Sequence, residues 1–172
     1  MAEFVDKQRL AVRVCMAWGE PLDGTLMLAP QAQFHDGPET LLERLNTPDR
    51  VVPFQLPEGG GTLLLMRDAI EWVLAGNEVD PSLVAPPRYR VTREEQVRLS
   101  FLAGGELSGL LQMELPEMFS RASDFLNGAE DFFPLLAATG VVMVNKRQVV
   151  QTHVLSSAPV TVSFDPSRDL IG

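Results

Sequence analysis

The chain has 172 residues, 45% of them hydrophobic, and a formal net charge of −9. The longest apolar runs, such as residues 62–66 and 140–144, are too short to cross a bilayer, and the single cysteine, Cys15, excludes an intramolecular disulfide. An acidic surface repels phosphate backbones and anionic headgroups, so nucleic acid and membranes are disfavoured as partners. Because Glu3 and Asp6 stand where a secretory signal would be basic, we expect a cytoplasmic protein.

The first predicted elements are two strands that form a hairpin. Residues 12–17 alternate with the period of a half-buried strand, residues 18–21 supply a turn, and residues 22–28 resume the extended pattern. Gly24, inside the second strand, indicates either a bend or a close approach of two backbones. Cys15 lies in the first strand and is predicted to be a half-buried thiol, not a nucleophile.

A short helix is predicted after the hairpin. The residues Asp36–Glu39 combine a capping side chain, an early proline and an acidic residue, which together favour a helix start. Leu41, Leu42 and Leu45 form its apolar face, and Asn46 ends it. Three further strands are predicted over residues 51–56, 62–66 and 69–74.

The same order of elements is predicted again further along the chain. Residues 76–88 are rich in Pro, Gly and polar side chains and read as a linker whose apolar members, Val79, Leu83 and Val84, lie on a domain surface. After it, strands are predicted over residues 97–101, 107–113, 132–136, 141–144 and 148–154. A helix with Phe119, Ala122 and Leu126 on one face is predicted to end at Asn127. Residues 156–172 form a C-terminal extension, in which the alternation of residues 160–164 predicts an extra strand.

The two halves of the chain align with each other at nearly constant offsets. The offset is 85 positions at Gly24 and Gly109, 81 at Asn46 and Asn127, and 79 at Arg67 and Lys146. Each change of offset falls in a predicted loop, where insertions are tolerated. Five short strands and one helix in each half fit a small, strongly bent barrel. We therefore predict a mainly β fold with short helices, made of two tandem five-stranded small β-barrels over residues 1–75 and 89–155 that arose by internal duplication.

Two segments carry a resemblance to a known family. Residues 102–111, with a strand, a glycine turn and an apolar-small-Gly-apolar pattern, resemble the first hairpin of Sm-like small β-barrels. With the Arg-x-Ser-Asp-Phe-Leu-Asn segment at residues 121–127, the chain resembles a tandem pair of such SH3-like domains in a group of uncharacterised bacterial proteins. The resemblance covers residues 8–75 and 93–155.

The resemblance implies assembly as rings and binding of RNA. Sm-like proteins use an Asp/Asn pair before the third strand and a basic residue between the fourth and fifth strands. Asp124, Asn127 and Lys146 lie in roughly analogous places. The chain departs from the family pattern by a helix inserted after the second strand, by a different Asp-to-Asn spacing, and by the acidic residues Glu43 and Asp68 in the first half.

One basic cluster could contact a partner. The only basic cluster with an interleaved aromatic side chain consists of Arg88, Arg90 and Arg93, with Tyr89 between the first two. Alternation would put Arg88 and Arg90 on one face, where they could hold phosphates or form salt bridges to the acidic first half. Both alternatives make this cluster a candidate interaction site.

No metal, cofactor or catalytic group is predicted. His35, Asp36 and Glu39 could offer metal ligands, but no second histidine or cysteine cluster completes the shell. Acidic side chains around a helix start favour capping instead. The glycine-rich run at residues 59–61 lacks the lysine and helix N-terminus of a phosphate-binding loop.

These patterns predict a non-enzymatic protein-interaction or scaffold module whose partner is another protein or a second copy of the chain. Two barrels would offer exposed strand edges and a groove, which are places where partner strands commonly add. An Sm-like RNA-binding protein is one alternative. The other is a small-ligand sensor that uses the cleft between the two barrels.

Overall fold

The computed structural model describes residues 7–114 and 121–159, with side chains described as far as residue 155. The first half contains β1 (Gln8–Met16), β2 (Leu22–Leu28), α1 (Leu41–Leu45), β3 (Val51–Gln55), β4 (Thr62–Met66) and β5 (Ile70–Gly76). The second half contains β6 (Arg93–Phe101), β7 (Glu106–Met113), α2 (Ala122–Leu126), β8 (Phe132–Ala137), β9 (Gly140–Asn145) and β10 (Val149–Pro159). Short 3₁₀ turns cover Arg67–Ala69, Pro81–Leu83 and Lys146–Gln148.

The ten strands of the described residues form one antiparallel sheet in the order β10-β6-β7-β8-β9-β5-β1-β2-β3-β4. Within each half the fifth strand lies beside the first, so the two halves have the same strand order. The halves meet where β5 pairs with β9, over five residue pairs from Trp72–Val144 to Gly76–Gly140. The predicted mainly β fold with short helices is confirmed, whereas the closure of each half into a barrel and the duplication stay predictions.

Two apolar cores lie against this sheet, and each receives side chains from both halves. The first core is built on β1–β3 and α1, and it also contains Phe132, Val141 and Met143 from the second half. The second core is built on β6–β9, with Trp72 and Leu74 of β5 packed against it. Full burial of a side chain such as Met143 stabilises the fold by about 1.5–3 kcal/mol. The β5–β9 junction is therefore apolar on both faces.

Helix α1 begins later than the Asp36–Glu39 pattern predicts. Thr40 is its N-cap: the Thr40 hydroxyl accepts a hydrogen bond from the Glu43 amide, and the Glu43 carboxylate accepts one from the Thr40 amide. This reciprocal pair is a capping box, which satisfies two amides at the helix start. The predicted end at Asn46 and the burial of Leu41, Leu42 and Leu45 are confirmed. For the second helix, Ala122 and Leu126 lie in α2, while Phe119 lies outside the described residues.

Two glycines permit close approach of neighbouring strands. A Cβ atom at Gly24 would overlap the carbonyl oxygen of Gln55, and one at Gly109 would lie 2.6 Å from the carbonyl oxygen of Leu136. No side chain fits in either place, so β2 can approach β3, and β7 can approach β8, only at a glycine. Of the two interpretations of Gly24, the close approach is thus the correct one.

The linker is laid on the first half, as its apolar residues predict. Val84 is buried in the first core, and Val79 and Leu83 pack against it. At the other end of the chain, β10 extends to Pro159, beyond the predicted end at residue 154. The predicted extra strand at residues 160–164 lies outside the described residues. Among the residues that are described, no helix is long and apolar enough to cross a membrane.

Candidate functional site

A cleft of about 730 Å³ lies between the halves, beside α1 and α2. Aromatic rings from both halves form its walls, among them Phe34, Phe125, Phe132 and Phe133. Its charged lining consists of five carboxylates and two cations: Glu39, Glu43, Glu114, Asp124, Glu130, Arg88 and Lys146. The cleft is therefore an aromatic-walled site with an excess of negative charge.

Two residues of the predicted basic cluster line this cleft. Arg88 lies in a turn, closed by the Tyr89 amide donating to the Pro86 carbonyl at 2.9 Å, and its guanidinium stacks over the Phe34 ring at 5.1 Å. The Tyr89 hydroxyl donates to the Gln112 carbonyl at 2.7 Å, and burial raises the pKa of this phenol. Both side chains thereby hold the linker to the two halves.

The other two basic residues of the cluster, Arg90 and Arg93, contact residues of the second half. The backbone amide of Arg90 donates to the Glu114 carboxylate at 3.4 Å, and Arg93, at the start of β6, pairs with the buried Glu95 at 3.1 Å. The strand-like alternation predicted for Arg88 and Arg90 is wrong, because both precede the first residue of β6. Within the described ranges, no ion pair joins Arg88 or Arg90 to the first half.

The residues suggested by the Sm-like resemblance gather near the end of α2. The Lys146 ammonium donates to the carbonyls of Leu126 and Gly128, at 3.2 and 2.7 Å, and burial lowers its pKa against the opposing charges of nearby acids. Asp124 lines the cleft, whereas Asn127 is exposed outside it. Neither of these two side chains has a hydrogen-bond partner in the part of the chain that the structure describes. Lys146 acts on its own half, as a cap on the last turn of α2.

His35 contacts a carboxylate and no metal-ligand cluster forms around it. Its Nε2 atom lies 3.0 Å from Glu43 Oε2, and its Nδ1 atom lies 2.9 Å from the Asp36 carbonyl oxygen. The hydrogen bond to Glu43 raises the pKa of His35. Burial acts to raise the pKa of Glu43, but the hydrogen bonds from His35 and Thr40 outweigh it and leave that pKa low. Across residues 7–114 and 121–159, no group of three potential metal ligands is present.

Cys15 is held in its protonated form. Its sulfur lies 3.9 Å from Glu71 Oε1. Burial, followed by the charge of Glu71, raises the pKa of Cys15 to about 11. Because the thiolate is the nucleophilic form, this environment is unsuited to nucleophilic catalysis at neutral pH.

Side-chain amides bridge the two halves around the β5–β9 junction. Asn46 makes a two-way contact with the backbone of Phe132: its Nδ2 atom donates to the carbonyl at 3.0 Å, and its Oδ1 atom accepts from the amide at 2.8 Å. From the other half, Asn145 Nδ2 donates to the carbonyls of Asp68 and Ile70, at 3.2 and 2.9 Å. These bonds satisfy backbone groups that the strand ladder leaves unpaired.

An ionic group lies at one end of the same junction. Arg67 donates to the Leu45 carbonyl at 3.2 Å and to the Asp131 carboxylate at 3.2 Å, and Arg147 reaches the other oxygen of Asp131 at 3.3 Å. Asp131 thus bridges an arginine from each half. The arrangement links the turn before β5 to the start of β8.

Among the described strands, β4 and β10 each have a neighbour on one side only, and their other sides are called the free edges of the sheet. On β4, Leu64 and Met66 are 68% and 53% exposed, and on β10, Val150 and Val154 are 61% and 45% exposed. In contrast, every residue of β9, which has a neighbour on both sides, is buried. Large apolar side chains on an open sheet edge are unusual, because such edges promote pairing with other chains.

The bridging residues Asn46, Arg67 and Asn145 were missed as functional residues from the sequence. Asn46 is predicted only as the end of a helix, and Arg67 only as part of a turn. The repeat aligns Asn46 with Asn127 and Arg67 with Lys146, which is the one signal that singles these positions out.

Comparisons with protein-family models, with curated protein sequences and with solved structures found no match.

Proposed function

We propose that the protein is a non-enzymatic interaction module of the cytoplasm that binds an extended segment of a partner protein at the free edges of its sheet. The observation that carries the proposal is the exposure of Leu64 and Met66 on β4, which has only β3 as a neighbour among the described strands. Strand addition gives affinity through main-chain hydrogen bonds and specificity through alternate side chains. A sheet edge of this kind supplies both.

The β4 edge lacks the features that usually protect a strand from pairing. Natural edge strands are blunted by charged side chains, proline or bulges. Thr62–Met66 contains three leucines, a threonine and a methionine, and its pairing with β3 runs through five consecutive residues without a register shift. This edge therefore suits a partner strand better than it suits solvent.

The same proposal includes an origin by duplication, with each half folded as a small barrel. Both halves place a glycine where the second strand crosses the third, at Gly24 and Gly109. In both halves a basic side chain in the turn between the fourth and fifth strands donates a hydrogen bond to the last carbonyl of the helix. Arg67 donates to Leu45, and Lys146 donates to Leu126. Shared contacts at aligned positions are what descent from one ancestral domain would produce.

The surroundings of the reactive side chains support a non-enzymatic role. Cys15 is kept protonated by burial and by Glu71. His35 is engaged by Glu43, which also caps α1. Both groups serve local structure in the first half.

Capture of partners by matched variants tests the proposal. Immobilised wild-type chain, Leu64→Lys and Leu102→Lys would be exposed to lysate of the source cell, and bound proteins quantified by mass spectrometry. Leu102, 66% exposed in the β6–β7 turn, is the control for Leu64 at 68%. We expect one or more proteins to bind wild type and Leu102→Lys but not Leu64→Lys, since a buried lysine opposes strand packing.

Hydrogen exchange on the purified pair would then locate the contact. Slower exchange of the β4 amides is expected when the partner is bound, because the added strand pairs with them. A partner that Leu64→Lys retains and that leaves the β4 and β10 amides unprotected would contradict the proposal.

The cleft supports a second candidate function, that of a small-ligand sensor. Aromatic walls and an excess of carboxylates favour an apolar ligand that carries a positive charge. A screen of such amines should raise the melting temperature of wild type, and Asp124→Asn should reduce the shift. Asp49→Asn, at an exposed site outside the cleft, is the control. Equal shifts for both variants would exclude this candidate.

RNA binding stays a prediction of the Sm-like resemblance. It expects salt-sensitive binding of single-stranded RNA that weakens in Lys146→Ala and in the double variant Arg88→Ala, Arg90→Ala. In the structure the Lys146 ammonium donates to the carbonyls of Leu126 and Gly128, whereas Arg88 stacks on Phe34 and is exposed. Unchanged mobility of RNA at low salt in a gel-shift experiment would exclude it.

A further inference from the structure

The two free edges of the sheet belong to strands that correspond to the two strands of the internal junction. β5 and β10 are the fifth strands of their halves, and β9 and β4 are the fourth. We propose that β10 of one copy of the chain pairs with β4 of the next copy, in the antiparallel arrangement that joins β5 to β9 within the chain. The inference rests on the proposed function, since it names a second copy as the partner that occupies the edges.

The register of this contact follows from the internal one. The turn Arg67–Ala69 corresponds to Lys146–Gln148, a shift of 79 positions that also relates β4 to β9 and β5 to β10. The pairing with the third strands agrees, because Met66 lies opposite Val51 as Asn145 lies opposite Phe132. In the internal junction Val73 lies opposite Met143. By the same shift Val73 corresponds to Thr152 and Met143 to Leu64, so Thr152 of one copy is placed opposite Leu64 of the next.

This register brings exposed apolar side chains together. Leu64 takes the place of Met143, which is fully buried in the first core, although Leu64 itself is 68% exposed. Its diagonal neighbour across the new contact is Val154, which is 45% exposed. Met66, 53% exposed, takes the place of Asn145, whose amide contacts the Ile70 carbonyl. The contact therefore covers apolar surface that each edge leaves in water.

Other corresponding residues make the contact between copies weaker than the one within the chain. Gln151 and His153 stand where β5 has Trp72 and Leu74, so one face of the contact loses two apolar side chains. Loss of that apolar area lowers the affinity, because the free energy gained on burial is proportional to the apolar area removed from water. The association between copies is accordingly reversible, whereas the internal junction is permanent.

A difference in charge between the two contacts also weakens the association between copies. Arg67 pairs with Asp131 at the internal junction, at 3.2 Å. At the corresponding positions of the proposed contact, Lys146 of one copy faces Arg50 of the next. Two like charges replace an ion pair, which reduces the affinity and gives the contact a distinctive electrostatic signature.

The proposed contact is heterologous, since one copy presents β10 and the other presents β4. Each copy therefore has one donor edge and one acceptor edge, and association continues head to tail until the series closes or the concentration limits it. A two-fold contact, β4 against β4, would instead stop at a dimer. The two arrangements make different predictions for mixed variants.

Sedimentation velocity on the full chain over a range of concentrations is the first test. Wild type and Leu102→Lys should show a sedimentation coefficient that rises with concentration, while Leu64→Lys and Val154→Lys should each remain monomeric. Circular dichroism would show that the variants are folded, because both side chains replaced are exposed. A wild-type chain that is monomeric at every concentration overturns the inference. The partner captured through β4 in the preceding experiment would still support the proposed function.

Mixing the two edge variants separates the head-to-tail contact from the two-fold contact. Leu64→Lys retains an intact β10, and Val154→Lys retains an intact β4, so an equimolar mixture should form a one-to-one heterodimer and no larger species. If Val154→Lys dimerises alone and the mixture forms no heterodimer, β4 pairs with itself and the inference is wrong.

A gain of affinity tests the register itself. Arg50→Asp restores the acidic residue found at Asp131, so the association constant should rise about fivefold, as expected for one favourable ion pair replacing a repulsion. Arg9→Asp, at an exposed position of β1, makes the same change in net charge elsewhere and should leave the constant unaltered. Equal constants for Arg50→Asp and wild type would contradict the proposed register.

Discussion

The first and second halves of the molecule use corresponding residues for different purposes. Asn46 and Asn127 both cap the end of a helix, but the Asn46 side chain pairs with Phe132 in the other half, while the Asn127 side chain is exposed. Arg67 likewise reaches Asp131 across the junction, whereas Lys146 contacts carbonyls of its own half. The comparison shows that the position of such a residue in the sheet decides whether its side chain contacts its own half or the other half.

The physical reason lies in the strands beside these residues. β5 has neighbours on both sides. Beside it, the Asn46 side chain accepts from the backbone of Phe132 in β8, and the Asn145 side chain of β9 donates to the backbone of Ile70 in β5. Among the described strands β10 has a neighbour on one side only, so the corresponding side chains have no second half to contact there. A comparison of variants at corresponding positions of the two halves can measure what the β5–β9 junction contributes to the stability of the fold.

The largest difference is expected at two corresponding glycines. A Cβ atom at Gly140 would overlap the Ala75 carbonyl oxygen, whereas no atom of the described residues lies within 4 Å of a Cβ atom at Gly61, although both glycines have positive φ. Gly140→Ala should therefore lower the free energy of unfolding by about 4 kcal/mol, and Gly61→Ala by about 1–2 kcal/mol from backbone strain alone. Urea denaturation measures both. Equal losses would show that the junction tolerates the extra atom.

The next difference is expected at the two helix-capping asparagines. Asn46→Ala leaves the Phe132 amide and carbonyl without their partner, which should cost about 2–3 kcal/mol. Asn127→Ala removes an exposed side chain and should change the stability by less than about 0.5 kcal/mol. Thermal unfolding of the two variants provides the measurement. A loss in Asn127→Ala as large as in Asn46→Ala would contradict the comparison.

Cys15 gives a third test, because its carboxylate neighbour exists only in the first half. Glu71 corresponds to Val150 in the repeat. With a pKa of about 11, Cys15 should react with iodoacetamide at pH 8 about a hundredfold more slowly than an ordinary thiol. Glu71→Gln removes the neighbouring charge, so the rate should rise while burial still holds it below that of a free thiol. A rate in the native chain equal to that of a model thiol would refute the assigned environment.

The smallest expected effect is a pH dependence caused by His35. The pKa of His35 is raised in the folded chain, so its contribution to stability is complete below the unfolded value of about 6.5 and is lost as the pH rises through the folded value. His35→Gln should therefore lose stability relative to wild type at about pH 6 and converge with it at about pH 9. Urea midpoints at the two pH values measure the change. His153→Gln, at the exposed histidine of β10, is the control substitution, and a wild-type advantage over His35→Gln that is equal at the two pH values would contradict the prediction.

Periodicity and turn residues in the sequence predict most of the elements, because these signals are local. The strand at residues 62–66, the end of α1 at Asn46 and the resting place of the linker on the first half are examples. The start of α1 was misplaced because Asp36 and Thr40 are both good caps, and the choice depends on the reciprocal bond with Glu43. Arg88 and Arg90 were misjudged because a turn at Pro86 breaks the alternation assumed for them.

By itself, the sequence determined the mainly β composition, the short helices, the aligned positions of the two halves and the absence of a disulfide, since each depends on neighbours in the chain or on residue counts. The tertiary structure decided which strand of one half meets which strand of the other, and with it the roles of Asn46, Arg67 and Asn145. It also decided that Leu64 and Met66 lie on a free edge while Met143 is buried. Apolar strands of similar sequence differ in burial only through the strand placed beside them, and that placement depends on contacts between residues far apart in the chain.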